Sequence, residues 1–142
     1  MSKQENTDYI KPLPVIQPHS QAFWDATQNG KFLIQHCIDC DSNIFYPRRD
    51  CPECWSNKLD WIEASGKGEV YSFSITYEGV EEKFVADLPI VLAWVDLPEG
   101  PRVNTNIINC DPEDVFIGMQ VEVAYVKATD EITIPYFQPV KR

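Results

Sequence analysis

Four cysteines in two short pairs constrain this chain more than any other feature. Cys37-Ile38-Asp39-Cys40 is followed, after ten intervening residues, by Cys51-Pro52-Glu53-Cys54. A C-x2-C turn points two thiolates at one centre. Two such turns facing each other place four sulfurs at tetrahedral corners, the donor set that suits zinc. The gap is shorter than in the common C-x2-C ribbon spacing, but ten residues close a hairpin, and Ile44-Phe45-Tyr46 within it reads as a short strand. The spacing therefore predicts a zinc ribbon of knuckle, hairpin and knuckle. Four thiolates also suit iron, so the metal itself stays open between the two. Disulfide pairing fits less well in a compartment that keeps thiols reduced, and a redox role fits less well because nothing around the cysteines reads as a βαβ unit. With four protein ligands no coordination position is left for water, which makes the predicted role structural. His36 abuts Cys37 but falls outside a set that the cysteines already close. Cys110, the odd fifth cysteine, reads as a buried small hydrophobe.

The chain as a whole can hold a core: 44% of its 142 residues are hydrophobic, too many for a disordered chain. Its net charge of −10 repels phosphate backbones and argues against nucleic acid as a partner. No apolar run approaches a membrane span, and residues 1–18 lack the apolar stretch of a secretory signal. The expected location is the cytoplasm, where thiols stay reduced.

Along the chain, residues 1–18, with Pro12, Pro14 and Pro18, read as an extended arm. A helix is expected over 19–30, with Ser20 as its N-cap and Asn29-Gly30 as its stop. The ribbon would occupy 31–65. Gly66 and Gly68 then introduce five strand signals: Glu69–Tyr77, Ile90–Leu97, Arg102–Asn109, Gln120–Lys127 and Glu131–Phe137. In the first of these Val70, Ser72 and Ser74 alternate with Tyr71, Phe73 and Ile75. Asp111-Pro112 fits the start of a one-turn helix between the third and fourth strands. That order is the one found in an OB-fold barrel over 66–142. The fold class expected is thus mostly β: an N-terminal helix, a zinc ribbon and a C-terminal five-stranded OB-fold.

An OB-fold raises the possibility of single-strand binding on Tyr71, Phe73 and Tyr77 as stacking platforms. Charge opposes it, since residues 66–142 carry six bases against thirteen acids, a net of −7. No nucleophile elbow, glycine-rich phosphate loop or H-E-x-x-H run is present. The hairpin Phe45-Tyr46-Pro47-Arg48-Arg49 is the exception to the acidic pattern. Aromatics beside arginines are the composition of interface anchors, so Phe45, Tyr46, Arg48 and Arg49 are candidate partner-binding residues, with Arg48 open between a partner carboxylate, a phosphate and an internal brace. Phe23 and Trp24 on the helix are expected to pack on their own domain or, alternatively, to dock on a partner.

Several segments in order resemble the DUF35 family. These are Cys37-x-x-Cys40, Phe45-x-Pro47-Arg48, Cys51-Pro52-x-Cys54, Gly66-x-Gly68-x-Val70-Tyr71-Ser72-Phe73, Pro89-x-Val91-x-Ala93-x-Val95-x-Leu97, Cys110 to Asp114, Ile117-Gly118-Met119-x-Val121 and Pro135-Tyr136-Phe137-x-Pro139. The family joins a rubredoxin-like zinc ribbon to an OB-fold and is associated with acyl-CoA metabolism. The resemblance implies a non-catalytic accessory subunit, one structural zinc, and a thiolase-like protein partner in a hetero-oligomer. The partner would be a thiolase, a lipid-transfer-type aldolase, an HMG-CoA synthase-like enzyme or an acyltransferase, and contact with a coenzyme A thioester in the complex stays open. Two other functions stay open: a free-standing acyl-CoA or small-ligand module, and a single-strand nucleic-acid binder. The chain departs from the family where knuckles usually carry a glycine after the second cysteine. Asp41 and Trp55 stand there, which points to tighter or bent turns. The loop Glu78 to Asp87 is too acidic to cradle coenzyme A phosphates by itself.

Overall fold

The computed structural model describes residues 9–141, so the first eight residues of the expected arm lie outside it. The described part of the arm runs as coil over the barrel. There Lys11 Nζ donates to Asp87 Oδ2 at 2.5 Å and lies 5.6 Å from the centre of the Tyr136 ring. One 3-10 turn, Pro18–Ser20, leads into helix α1, Gln21–Gln28. Ser20 stands at the N-cap position, but its hydroxyl does not cap the helix. It is engaged by Gln17, whose N–H donates to Ser20 Oγ at 3.1 Å. The stop is as expected: Gly30 takes φ +73°, and Lys31 N donates back to the Ala26 carbonyl at 3.0 Å. Phe23, Ala26 and Thr27, spaced three and four apart, form the buried stripe of α1.

Three strands make the ribbon sheet: β1 (Leu33–Cys37), β2 (Asn43–Ile44) and β3 (Leu59–Glu63), in the order β2-β1-β3 and antiparallel throughout. Five more close a barrel: β4 (Lys67–Thr76), β5 (Ile90–Asp96), β6 (Arg102–Ile107), β7 (Gln120–Lys127) and β8 (Thr133–Pro139). Their order, β4-β5-β6-β8-β7, closes back on β4, with β6 and β8 parallel. A 3-10 turn at Pro112–Asp114 lies between β6 and β7. Asp111 accepts from Glu113 N at 3.0 Å to cap it. This is the expected OB-fold, and closure leaves few open sheet edges.

The face assignment along β4 is corrected by the structure. A β-bulge between Val70 and Ser72 inserts Tyr71 as an unpaired residue. The alternation therefore changes phase there. Val70 before the bulge, and Phe73 and Ile75 after it, all pack into one core. That core also runs out of the barrel. Phe23, Phe32, Ile34 and Ala64 of the helix and ribbon join Val91, Val95, Val103, Val121 and Phe137 of the barrel in one cluster. Further polar links bind the two parts. Asn43 Nδ2 donates to the Glu99 carbonyl at 2.8 Å, and Ser65 N donates to Glu99 Oε2 at 2.8 Å.

Gly68 shows how tightly the barrel closes. A Cβ there would stand 2.4 Å from Val95 Cγ1 and 3.0 Å from the Asp96 carbonyl. Gly68→Ala is expected to destabilise the chain by about 1–3 kcal/mol through overpacking. A urea titration reads this directly, and an unchanged midpoint would mean that Val95 has room to move aside.

Candidate metal centre and ribbon surface

β1 ends at Cys37 and delivers its thiol to the inside of the ribbon, where it is fully buried, as is that of Cys51. The two knuckles repeat one hydrogen-bond pattern. Cys37 N donates to Ser42 O and Asp41 N to Cys37 O; Cys51 N donates to Ser56 O and Trp55 N to Cys51 O, all at 2.8 Å. The result brings all four expected cysteines together. Their Sγ atoms lie within 4.8 Å of one another, with Cys37–Cys54 and Cys40–Cys51 each at 3.6 Å. Tetrahedral zinc with bonds of about 2.3 Å to sulfur sets neighbouring sulfurs about 3.8 Å apart, so the donor set and its spacing fit the ion.

The knuckle backbone also prepares these sulfurs for a cation. Glu53 N donates to Cys51 Sγ at 3.3 Å, and the Ser42 hydroxyl sits 3.2 Å from Cys40 Sγ. The Ser42 hydroxyl and amide together pull the Cys40 thiol down to about 7. At Cys54 the Ser56 amide acts in the same sense, but desolvation and the other three sulfurs outweigh it and push that thiol up to about 12. Four thiols cannot all ionise in one cluster unless a cation holds the charges. A small apolar cluster of Cys37, Ile44 and Cys51, with Cys40 and Leu59 against it, packs at the site.

His36 stays out of the set. Its Nδ1 lies 2.7 Å from Asn43 Oδ1 and its Nε2 lies 2.9 Å from Asp41 Oδ1. Cys110 is half-buried rather than buried. It lies against the main core, and desolvation raises its thiol above the usual range. The turns at Asp41 and Trp55 keep one hydrogen-bond pattern without the glycines. Both residues enter the left-handed region themselves, each at φ +68°, at a cost of about 1–2 kcal/mol for a residue with a Cβ. Asp41 turns its carboxylate to His36. Trp55 leaves its side chain 80% exposed.

The candidate partner-binding residues divide. Phe23 is a core residue, 4% exposed, and is withdrawn from the docking surface. Its ring meets Trp24 at 5.0 Å, Phe32 at 5.8 Å and Phe45 at 5.6 Å. Trp24 and Phe45 are half-buried against the same core, because the edge-to-face cluster takes up most of their surface. Tyr46, Arg48 and Arg49 remain exposed. The Tyr46 hydroxyl accepts from Asn104 N at 3.2 Å. Arg48 is gripped by its backbone: its N–H donates to Gln35 Oε1 at 2.8 Å and its carbonyl accepts from Gln35 Nε2 at 2.9 Å. The stacking platforms are also occupied. The Arg102 guanidinium covers the Tyr71 ring at 3.4 Å, Phe73 faces the core, and Tyr77 donates to Glu113. Sequence reasoning missed the buried Gln35, which carries no motif. It also missed the exposure of Trp55, whose only signal was a bulky residue in a glycine position.

Comparison with known proteins agrees with this architecture. Residues 24–60 match the rubredoxin-like zinc ribbon domain of ChsH2, and residues 61–126 match the C-terminal OB-fold domain of ChsH2. The chain is 35% identical over 131 residues to a probable enoyl-CoA hydratase alpha subunit of Thermomonospora curvata, covering 92% of this chain and 40% of that protein. It therefore spans less than half of that relative's length. It is 36% identical to the benzoylsuccinyl-CoA thiolase subunit BbsA of Geobacter metallireducens, over 54% of each chain. Among solved structures it is similar to a chain of the Ltp2-ChsH2(DUF35) aldolase, with TM-score 0.78 and 33% identity over 89% of this chain and 98% of that one. With both domain models covering most of its length in the observed order, the chain belongs to the DUF35 family of ChsH2-type zinc ribbons joined to OB-folds.

Proposed function

We propose that this chain is a non-catalytic accessory subunit of a thiolase-superfamily enzyme complex acting on acyl-CoA or related acyl substrates. The observation that carries this reading is the likeness to the DUF35 chain of an aldolase complex over nearly the whole of both chains. In the same reading Cys37, Cys40, Cys51 and Cys54 hold one zinc. The ion cross-links the two knuckles, and four thiolates leave it no position for a substrate or water. The cytoplasm, where thiolates stay reduced, suits that site. The chain's own part is to present a rigid surface to the enzyme. A coenzyme A thioester bound in the complex would meet it at Arg48 and Arg49, whose guanidinium forks suit phosphate, rather than at the exposed acids of residues 78–87.

Co-expression with a thiolase-like subunit tests this. The two are expected to elute together from size exclusion in a fixed ratio, and separate elution would contradict the reading. The barrel favours one further reading, a free-standing ligand module. A cleft of about 340 Å³ opens between Ile90, Ile107, Cys110, Val126 and Tyr136, at the lower end of ligand-site volumes. Saturable acyl-CoA binding by the chain alone, with no affinity for the enzyme subunit, would favour that module.

A further inference from the structure

We propose that the tip of the ribbon, Trp55 with Ile38, is the anchor that enters an apolar pocket rimmed by lysine and arginine on the partner subunit. This rests on the accessory-subunit reading and names the surface it uses. Trp55 is 80% exposed and Ile38 59% exposed. Trp55 also holds φ +68°, a conformation that glycine adopts without steric cost. The indole is thus strained at its backbone and unburied at its side chain, so the chain's own fold gains little from it. Asp41, at the matching position of the other knuckle, does return something: its carboxylate lies 2.9 Å from His36 Nε2.

The segments bearing the two side chains are clasped together. Ser56 Oγ donates to Asp39 Oδ2 at 2.6 Å, and Ile38 N donates to the Lys58 carbonyl at 2.9 Å. A support this firm loses little freedom on docking, and tryptophan is the side chain most enriched among interface anchors. The charge around it selects the partner. Asp39, Asp41 and Glu53, within two or three residues of Ile38 or Trp55, are exposed, against one exposed lysine, Lys58, so a basic rim is attracted. A second copy of this chain would bring the same acids and be repelled. The hairpin is less suited to the anchoring role, since Phe45 is spent on the core and Arg48 is gripped by Gln35.

The test uses the full chain and a co-expressed thiolase-like subunit. Trp55→Gly and Trp55→Asn both tolerate the positive φ. Each is expected to keep zinc content and melting temperature at or above those of the natural chain, while raising the Kd at least tenfold. Glu53→Lys is expected to slow association and flatten its salt dependence. Unchanged affinity in both Trp55 variants would overturn the inference alone, and so would affinity loss that merely tracks loss of zinc. Arg48→Ala weakening the complex while both Trp55 variants bind normally would move the anchor to the hairpin. Failure of the natural chain to bind would overturn the accessory-subunit reading and the anchor with it.

Discussion

Cys51→Ser is expected to strip the metal from the purified chain and release the two knuckles, while Cys110→Ser keeps full metal content. Cys51 is 0% exposed, and only Cys37 and Ile44 are buried with it beneath the site. So few apolar groups cannot hold two knuckles in place. Structural zinc contributes roughly 10–16 kcal/mol of apparent binding free energy in small ribbon-like peptides, and most of that is lost with one ligand. Elemental analysis of the two variants reads the result and also identifies zinc or iron. Equal metal loss in both variants would overturn the ligand assignment.

Phe137→Ala is expected to cost about 3–5 kcal/mol, a large part of the stability of a small domain. Phe137 is 1% exposed, pairs with Ile107 and Val123, and meets the Phe32 ring edge-on at 6.0 Å. It therefore sits where the barrel core passes into the ribbon. Because that core is continuous, the barrel and ribbon should lose structure at the same lowered urea concentration. Metal release at the unchanged, wild-type midpoint, with the barrel alone weakened, would show two independent cores.

The metal centre was legible from spacing because C-x2-C fixes local geometry, and the barrel was legible because its strands alternate. The alternation misled where a bulge intervened. Tyr71 is one residue too many for its partner strand, and nothing in Val70-Tyr71-Ser72 marks the change of phase. Composition makes Phe45 an interface candidate and leaves Phe23 between its own domain and a partner, because it does not reveal neighbours. Their burial comes from Phe32 and from one another, across contacts that only the folded chain brings together. Trp55 was the opposite case. Its position was recognised as one where glycine is usual, but a left-handed backbone with an outward indole appears only in the structure. The tie from Lys11 to Asp87 spans 76 residues, too far for any local pattern to show.

The most direct test of the account is an acyl-CoA turnover assay on three samples: this chain alone, its thiolase-like partner alone, and the two reconstituted. The account predicts no turnover by this chain, and a partner whose activity or solubility is restored when the chain is added. Turnover by the rigorously purified chain alone, abolished by changing one of its own residues, would contradict it.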